Sequence, residues 1–309
     1  MDGIERLADL AHRRRVADNE LMNAQDSSQV SLNREHEVPV VRAAINYLGP
    51  HEGKPRFHAQ DPGLDTWARE PHLMAIEDVR GWAEPPTLAR EGVTLVRHES
   101  AVRDFDDPDE IARVYLPELE RLLLKLTGAS QVVMLPKAVP RYSAGSPRYR
   151  SGQNSRPALF AHIDRTPKTA PGMGVDHFGA KAVTLKPGQR LAGFNLWRAL
   201  SGPPQDTPLA VCDARSVGVD DLVKADGVYD YGAEPWTISE AYILRHNPKH
   251  RWLYFKDMQP DELMIFRAYN WGPDFTPGVP HSAFEDPACP ADAPARISIE
   301  ARAFAVFED

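Results

Sequence analysis

The chain has 309 residues, 42% apolar content and a formal net charge of −8 from 36 basic and 44 acidic side chains. Those proportions fit a globular protein long enough to bury a sizeable core, and the acidic balance argues against general nucleic-acid or anionic-membrane binding. Cys212 and Cys289 are the two cysteines, which excludes a disulfide framework and any CxxC zinc pattern and points to a reduced cytoplasm.

In chain order, residues 1–26 read as an amphipathic helix, with Ile4, Leu7, Leu10 and Ala11 at helical spacing. The opening "MDGIERLADLAHRRRVADNE" lacks an apolar h-region, so no signal peptide is expected. No run of about 18 apolar residues offers a membrane span. The 28 prolines imply many short elements joined by shaped loops. Residues 49–92 are rich in Pro, Gly and charge and read as loop with short strands. "EGVTLVRHESAVRDF", 91–105, begins as a strand.

The clearest helix is "DPDEIARVYLPELERLLLKLTG". Asp107 is its N-cap, Pro108 its first residue and Gly128 its stop, and Pro117 predicts a kink or two abutting helices. "ASQVVMLP" follows as a strand. Residues 137–157 hold five basic residues, two tyrosines and no acid. They are either an exposed Ser/Gly/Pro loop or a mobile cover over a site for an anionic or aromatic molecule. From 158 onward the texture is strands: "ALFAHIDRT", "RLAGFNLWRAL", "LAVCDARSV", "RWLYFKDM", "ELMIFRAYN" and "ISIEARAFAVF". The expected fold is mainly β with some α. It is a double-stranded β-helix, or jelly roll, over 158–309, with N-terminal helices packed on one sheet and residues 1–157 as helical and strand extensions of one domain spanning 1–309.

His162 and Asp164 stand two apart in "FAHIDRTPKT". In an extended strand they point to one face, where they need each other, water or a metal. About one H-x-[D/E] triplet is expected by chance in such a chain, so the motif alone is weak. His281, in "PGVPHSAFEDP", is the candidate third member. Two imidazoles and a carboxylate on one face hold non-haem Fe(II) and leave positions open, whereas zinc in the same set could not activate oxygen. The alternative is a hydrogen-bonded His–Asp pair with an unrelated His281.

The tail "ARISIEARAF" alternates strictly, with Arg296, Ser298, Glu300 and Arg302 on one face and Ile297, Ile299 and Ala301 on the other. The polar face either meets water or lines the lumen of a small barrel. In the second case Arg296 offers a planar fork to a carboxylate and Ser298 a third hydrogen bond, with Arg302 as second choice.

Arg-x-Ser after the distal histidine resembles the co-substrate clamp of Fe(II)/2-oxoglutarate-dependent oxygenases. From about Val79 to Phe307 the chain resembles the hydroxylase/desaturase family of bacterial and fungal secondary metabolism. That family takes in the cephamycin-pathway oxygenase component, fungal meroterpenoid oxygenases and gibberellin-desaturase-like proteins. The blocks that carry the likeness include "VYLPELERLLLKLTGAS", "AHIDRTP", "FNLWRALSGPPQDTPLAVCDARSV", "HRWLYFKDMQPDELMIF" and "PHSAFEDP".

The resemblance implies iron at His162, Asp164 and His281, and 2-oxoglutarate held by Arg296 and Ser298, with Arg302 and Asn195 in the same set. It also draws attention to Trp197, Arg198, Asp213 and Arg215, as pocket lining or as braces; for Asp213 and Arg215 an internal ion pair is the expectation. It implies a small-molecule substrate and dioxygen as partners, with hydroxylation or desaturation of a C–H bond. The carboxylate of Asp164 argues against halogenation, which needs a small residue there. Other readings are an iron oxygenase working without 2-oxoglutarate and a non-catalytic accessory subunit; association into homo-oligomers is compatible with either. Departures from the family pattern fall at Leu135–Lys137, Ala199, Tyr269–Trp271 and Ile297, none of them an expected iron ligand.

Overall fold

The computed structural model describes residues 38–149, 156–170, 185–229, 237–271 and 275–308. The helix expected over 1–26 lies outside them, as does the middle of the basic 137–157 stretch. The described residues from Pro39 onward group as one compact unit.

Two sheets make up this unit. The major sheet has nine strands in the spatial order β1 (Val40–His51), β3 (Trp67–Asp78), β12 (Trp252–Tyr254), β9 (Leu209–Cys212), β15 (His281–Ala283), β7 (His162–Ile163), β11 (Thr237–Leu244), β10 (Leu222–Tyr229) and β2 (Arg56–His58). The minor sheet runs β14 (Phe275–Pro277), β13 (Glu262–Trp271), β8 (Gln189–Ala199), β16 (Ile297–Glu308) and β5 (Gln131–Met134). Two further strands join it, β4 (Val93–Arg97) on β13 and β6 (Val139–Tyr142) on β16. Pairing is antiparallel except β12 with β3 and β10 with β2. This is the mainly β jelly-roll architecture expected, and both sheets draw strands from either side of residue 157.

The minor sheet's outer face carries the helical layer. Asp107 caps its start by accepting from the Asp109 backbone N–H at 2.9 Å, with Pro108 first in the turn. Pro117 needs no kink, because a π-turn over Ile111–Tyr115 precedes the helix α1 (Leu116–Thr127) and takes up the hydrogen-bond register that the proline cannot serve. Gly128 ends it at φ 68°, the left-handed conformation glycine tolerates. Leu119 and Leu123 are fully buried against Leu196, Ile265, Ile299 and Ala301. Each contributes roughly 2–3 kcal/mol by leaving water. Arg198 braces this layer, bonding Tyr115 Oη at 3.1 Å and the His98 carbonyl at 3.0 Å.

Between the sheets, Leu209, Val211 and Leu253 of the major sheet pack on Trp197, Met264 and Phe266 of the minor one. In β13 a register shift between Arg267 and Tyr269 leaves Ala268 without a partner in β8, and Tyr269 pairs with Gly193. A Cβ at Gly193 would lie 2.2 Å from the Tyr269 ring, so the ring occupies the space that glycine vacates.

Three expectations are corrected. Residues 67–78, read within 49–92 as loop with short strands, form one 12-residue strand, β3; Pro71 and the exposed "AREP" hide its alternation. Strands β10 and β11 went unread because Asp226 and Gly227 interrupt one, and Glu240 the other. The basic 137–157 stretch is not all loop, since it contributes β6.

Candidate metal centre and cavity

His162 and His281 are direct cross-strand partners on β7 and β15, and His162 also faces Ile243 of β11. Opposed residues of an antiparallel pair project to one face. The rings stand 4.2 Å apart at 51°. Each places Nδ1 against the carbonyl two residues upstream, His162 on Phe160 at 2.9 Å and His281 on Val279 at 3.2 Å. With Nδ1–H donating there, both Nε2 lone pairs are free to face inward.

Asp164 follows just beyond β7, with Oδ1 3.6 Å from His162 Nε2. Ligand atoms of His162, Asp164 and His281 all lie within 4.8 Å of one another. The set the sequence singled out therefore converges.

Burial, together with the neighbouring His281, pushes the His162 imidazole down to about 4, and burial also lowers His281. Burial alone would raise the Asp164 carboxyl; Arg302, the two histidines and Arg165 outweigh it and hold the group well below the usual carboxylate range. Two neutral imidazoles and a carboxylate are the protonation states a divalent cation needs. The other oxygen of Asp164, Oδ2, accepts from Asn195 Nδ2 at 2.8 Å and lies 3.5 Å from Arg302 Nε.

The polar face of β16 lines the lumen and its apolar face lies under α1. Arg296, Glu300 and Arg302 share with the three metal-ligand candidates a cavity of about 150 Å³ that opens to solvent. Arg302 is engaged at 2.5 Å by Glu300. Arg296 is 2% exposed; one terminal nitrogen donates to the Thr207 carbonyl at 2.6 Å, while its Nε has no partner. Burial pushes this guanidinium down to about 9, against the pull of Asp206. Ser298 Oγ, wholly buried, also has no hydrogen-bond partner, although Ser298 is not itself among the residues lining the cavity.

Buried donors in that condition are costly unless something supplies acceptors. A dicarboxylate co-substrate reaching from the metal face would do so, and the residues fit one.

Other expected residues divide. Trp197 lines the cavity, whereas Asn195 is spent on Asp164 and is not among the lining. Asp213 and Arg215 do form an ion pair, at 2.7 Å and joined by Glu91 at 3.0 Å, but it is not internal: the carboxylates are buried while the Arg215 side chain is half exposed, away from the cavity. The sequence reading missed Arg141, which pairs with Ser298 across β6 and β16 and lines the cavity. Its signal was the "VPRY" alternation within a stretch read as loop.

A family model described as an oxidoreductase/YMDC permease-like domain matches residues 45–307; no helix among the described residues is long and apolar enough to cross a membrane. The hydroxylase/desaturase efuI of Hormonema carpetanum is 30% identical over 291 residues, covering 88% of this chain and 97% of that protein. The alpha-ketoglutarate-dependent dioxygenase phiK of a fungal species is 29% identical over 290 residues, covering 88% and 98%. Among solved structures, a variant of the iron and alpha-ketoglutarate-dependent endoperoxidase NvfI superposes with a TM-score of 0.74 at 26% identity, over 87% of this chain and 98% of that one. The chain belongs to this oxidoreductase family, among the iron- and 2-oxoglutarate-dependent dioxygenases and hydroxylase/desaturases.

Proposed function

We propose that the protein uses Fe(II) and 2-oxoglutarate to hydroxylate or desaturate an unactivated C–H bond of a small-molecule secondary metabolite. The observation that carries the reading is the pairing of two features in one cavity. One is the convergent His162–Asp164–His281 face; the other is the unsatisfied Nε of Arg296, with the unpartnered Ser298 Oγ two residues further along the same face of the chain.

In this reading His162 and His281 would hold the metal through Nε2 and Asp164 through Oδ1, a donor set that suits Fe(II). Asn195 and Arg302 hold Asp164 Oδ2, which keeps the carboxylate in one orientation. Arg296 and Ser298 take the far carboxylate of 2-oxoglutarate, and Arg302, engaged with Glu300 and Asp164, tunes the metal ligand. When bound, iron and co-substrate supply an oxidant strong enough for an aliphatic C–H bond, with decarboxylation of 2-oxoglutarate to succinate. Trp197 and Leu209 exclude water and press the target carbon toward the metal face. Two unpaired cysteines support a cytoplasmic setting, and the net charge of −8 supports a small-molecule rather than a nucleic-acid partner.

The test is anaerobic iron titration followed by succinate release in oxygen. Wild-type protein should bind one iron per chain and form succinate. His281→Ala should lose stoichiometric iron and drop succinate release by more than about 100-fold. Oxygen uptake without succinate would remove 2-oxoglutarate from the reading; a fully active His281→Ala protein would remove the metal face.

A further inference from the structure

The cavity carries more positive charge than iron chemistry with 2-oxoglutarate uses. Among the described residues it is lined by six arginines: Arg69, Arg141, Arg156, Arg165, Arg296 and Arg302. Its lining carboxylates are Asp65, Asp164 and Glu300, and each already has a cationic neighbour. Asp65 lies 3.6 Å from Arg69, Glu300 lies 2.5 Å from Arg302, and Asp164 lies 3.5 Å from Arg302. A ferrous ion adds two positive charges and a 2-oxoglutarate dianion removes two, so the surplus of the described lining persists with both in place.

Part of that surplus has a definite address. Arg156 borders the cavity beside Pro157 and Ala158, and its Nε is buried with no hydrogen-bond partner. Its guanidinium stands 5.9 Å from the Tyr149 ring, a contact with a π face that leaves the N–H edge unsatisfied. The same cavity has an apolar and aromatic stretch of wall, in which Phe57 packs on Phe160 and Tyr229, with Leu159 also in the lining. In a low-dielectric cavity an unmatched guanidinium attracts an oxyanion strongly, and its planar fork matches carboxylate or phosphate.

Resting on the iron and 2-oxoglutarate reading above, we infer that the substrate is an amphiphilic acid. Its oxyanion group, carboxylate or phosphate, is held by Arg156 at the cavity mouth, and its hydrocarbon body lies along the aromatic wall toward the metal face. The acid is separate from the 2-oxoglutarate carboxylates, and Arg156 is a specificity-determining residue for it.

The test uses anaerobic protein loaded with Fe(II) and saturating 2-oxoglutarate, probed by thermal stability with decanoate, decyl phosphate, methyl decanoate and decanol. At least one of the two anions should stabilise saturably and bind at least tenfold more tightly than the ester or the alcohol; which anion does so identifies the oxyanion. Arg156→Gln should lose most of that preference while keeping its iron and 2-oxoglutarate titrations. That split separates a binding role from a merely structural one. Equal or tighter binding of the neutral probes, no saturable binding of either anion, or an unchanged preference in Arg156→Gln would overturn the inference. So would competition of the bound anion with 2-oxoglutarate. Any of these with normal iron and 2-oxoglutarate binding would leave the proposed function standing, whereas protein that fails to load iron would sink that reading first.

Discussion

The two walls of the cavity are built on opposite plans. On the major sheet, His162 and His281 come from strands of two and three residues, so their placement depends on neighbouring strands and on the Phe160 and Val279 carbonyls. On the minor sheet, Arg302 and its companions come from β16, twelve residues paired along its length with β8. One wall gets its accuracy from many short supports, the other from the period of a single strand. A metal face needs angular precision that several anchors give; a carboxylate clamp needs reach, which a long alternating strand supplies.

The comparison can be broken most sharply through pH. In iron-free protein His162 titrates near 4 in the fold, pushed down by burial and by His281, against 6.5 for the ordinary side chain. Between those values the unfolded chain binds a proton that the folded one refuses. Stability is therefore full above about pH 6.5 and declines as pH falls toward 4, by about 3 kcal/mol from this residue. His281, also lowered, adds in the same direction. Urea titration at pH 7.5 and 4.5 should show the loss, with a smaller one in His162→Gln; a pH-independent midpoint would deny the dry, neutral face.

Next in size, Arg296→Met should raise the 2-oxoglutarate concentration for half-maximal succinate release by about 10–100-fold, and Ser298→Ala by about fivefold, without altering iron content. If Arg302→Met instead carries the 2-oxoglutarate defect, the clamp is misassigned within its own strand. Asn195→Ala removes the donor to Asp164 Oδ2 and should weaken iron by about tenfold, measured by competition with a chelator. Smallest is Asp107→Ala, which removes the N-cap behind the minor sheet. It should lower stability by about 1 kcal/mol while iron and 2-oxoglutarate binding hold, a check that the helical layer serves the fold rather than the site.

Legibility in the sequence followed the same division. β16 was readable because long alternation survives in a string of letters, β8 because it is a long run of mostly apolar residues, and the helix because Asp107 and Gly128 mark its ends. His162 and Asp164 were readable through their spacing, but nothing local ties His281 to them; that link is a strand pairing across more than a hundred residues. β3, β10 and β11 were opaque for a different reason. Their polar residues and Gly227 are tolerated by tertiary context, with the Phe57 ring filling the place of a side chain at Gly227. Which face of β16 looks inward was equally undecidable from alternation, since the pattern is symmetric until α1 is seen to cover Ile299 and Ala301.

The unpaired Ala268 has an evolutionary reach beyond its size. Because pleat parity reverses at that residue, excising it would exchange the sides on which Tyr269, Asn270 and Trp271 project, while the strands bearing His162 and His281 kept their alignment. A one-codon deletion or insertion there would repack the cluster of Leu135, Leu191 and Phe304 around Tyr269 in a single step. Descendants of this scaffold could thus remodel one end of the minor sheet without moving the strands that oppose the two histidines.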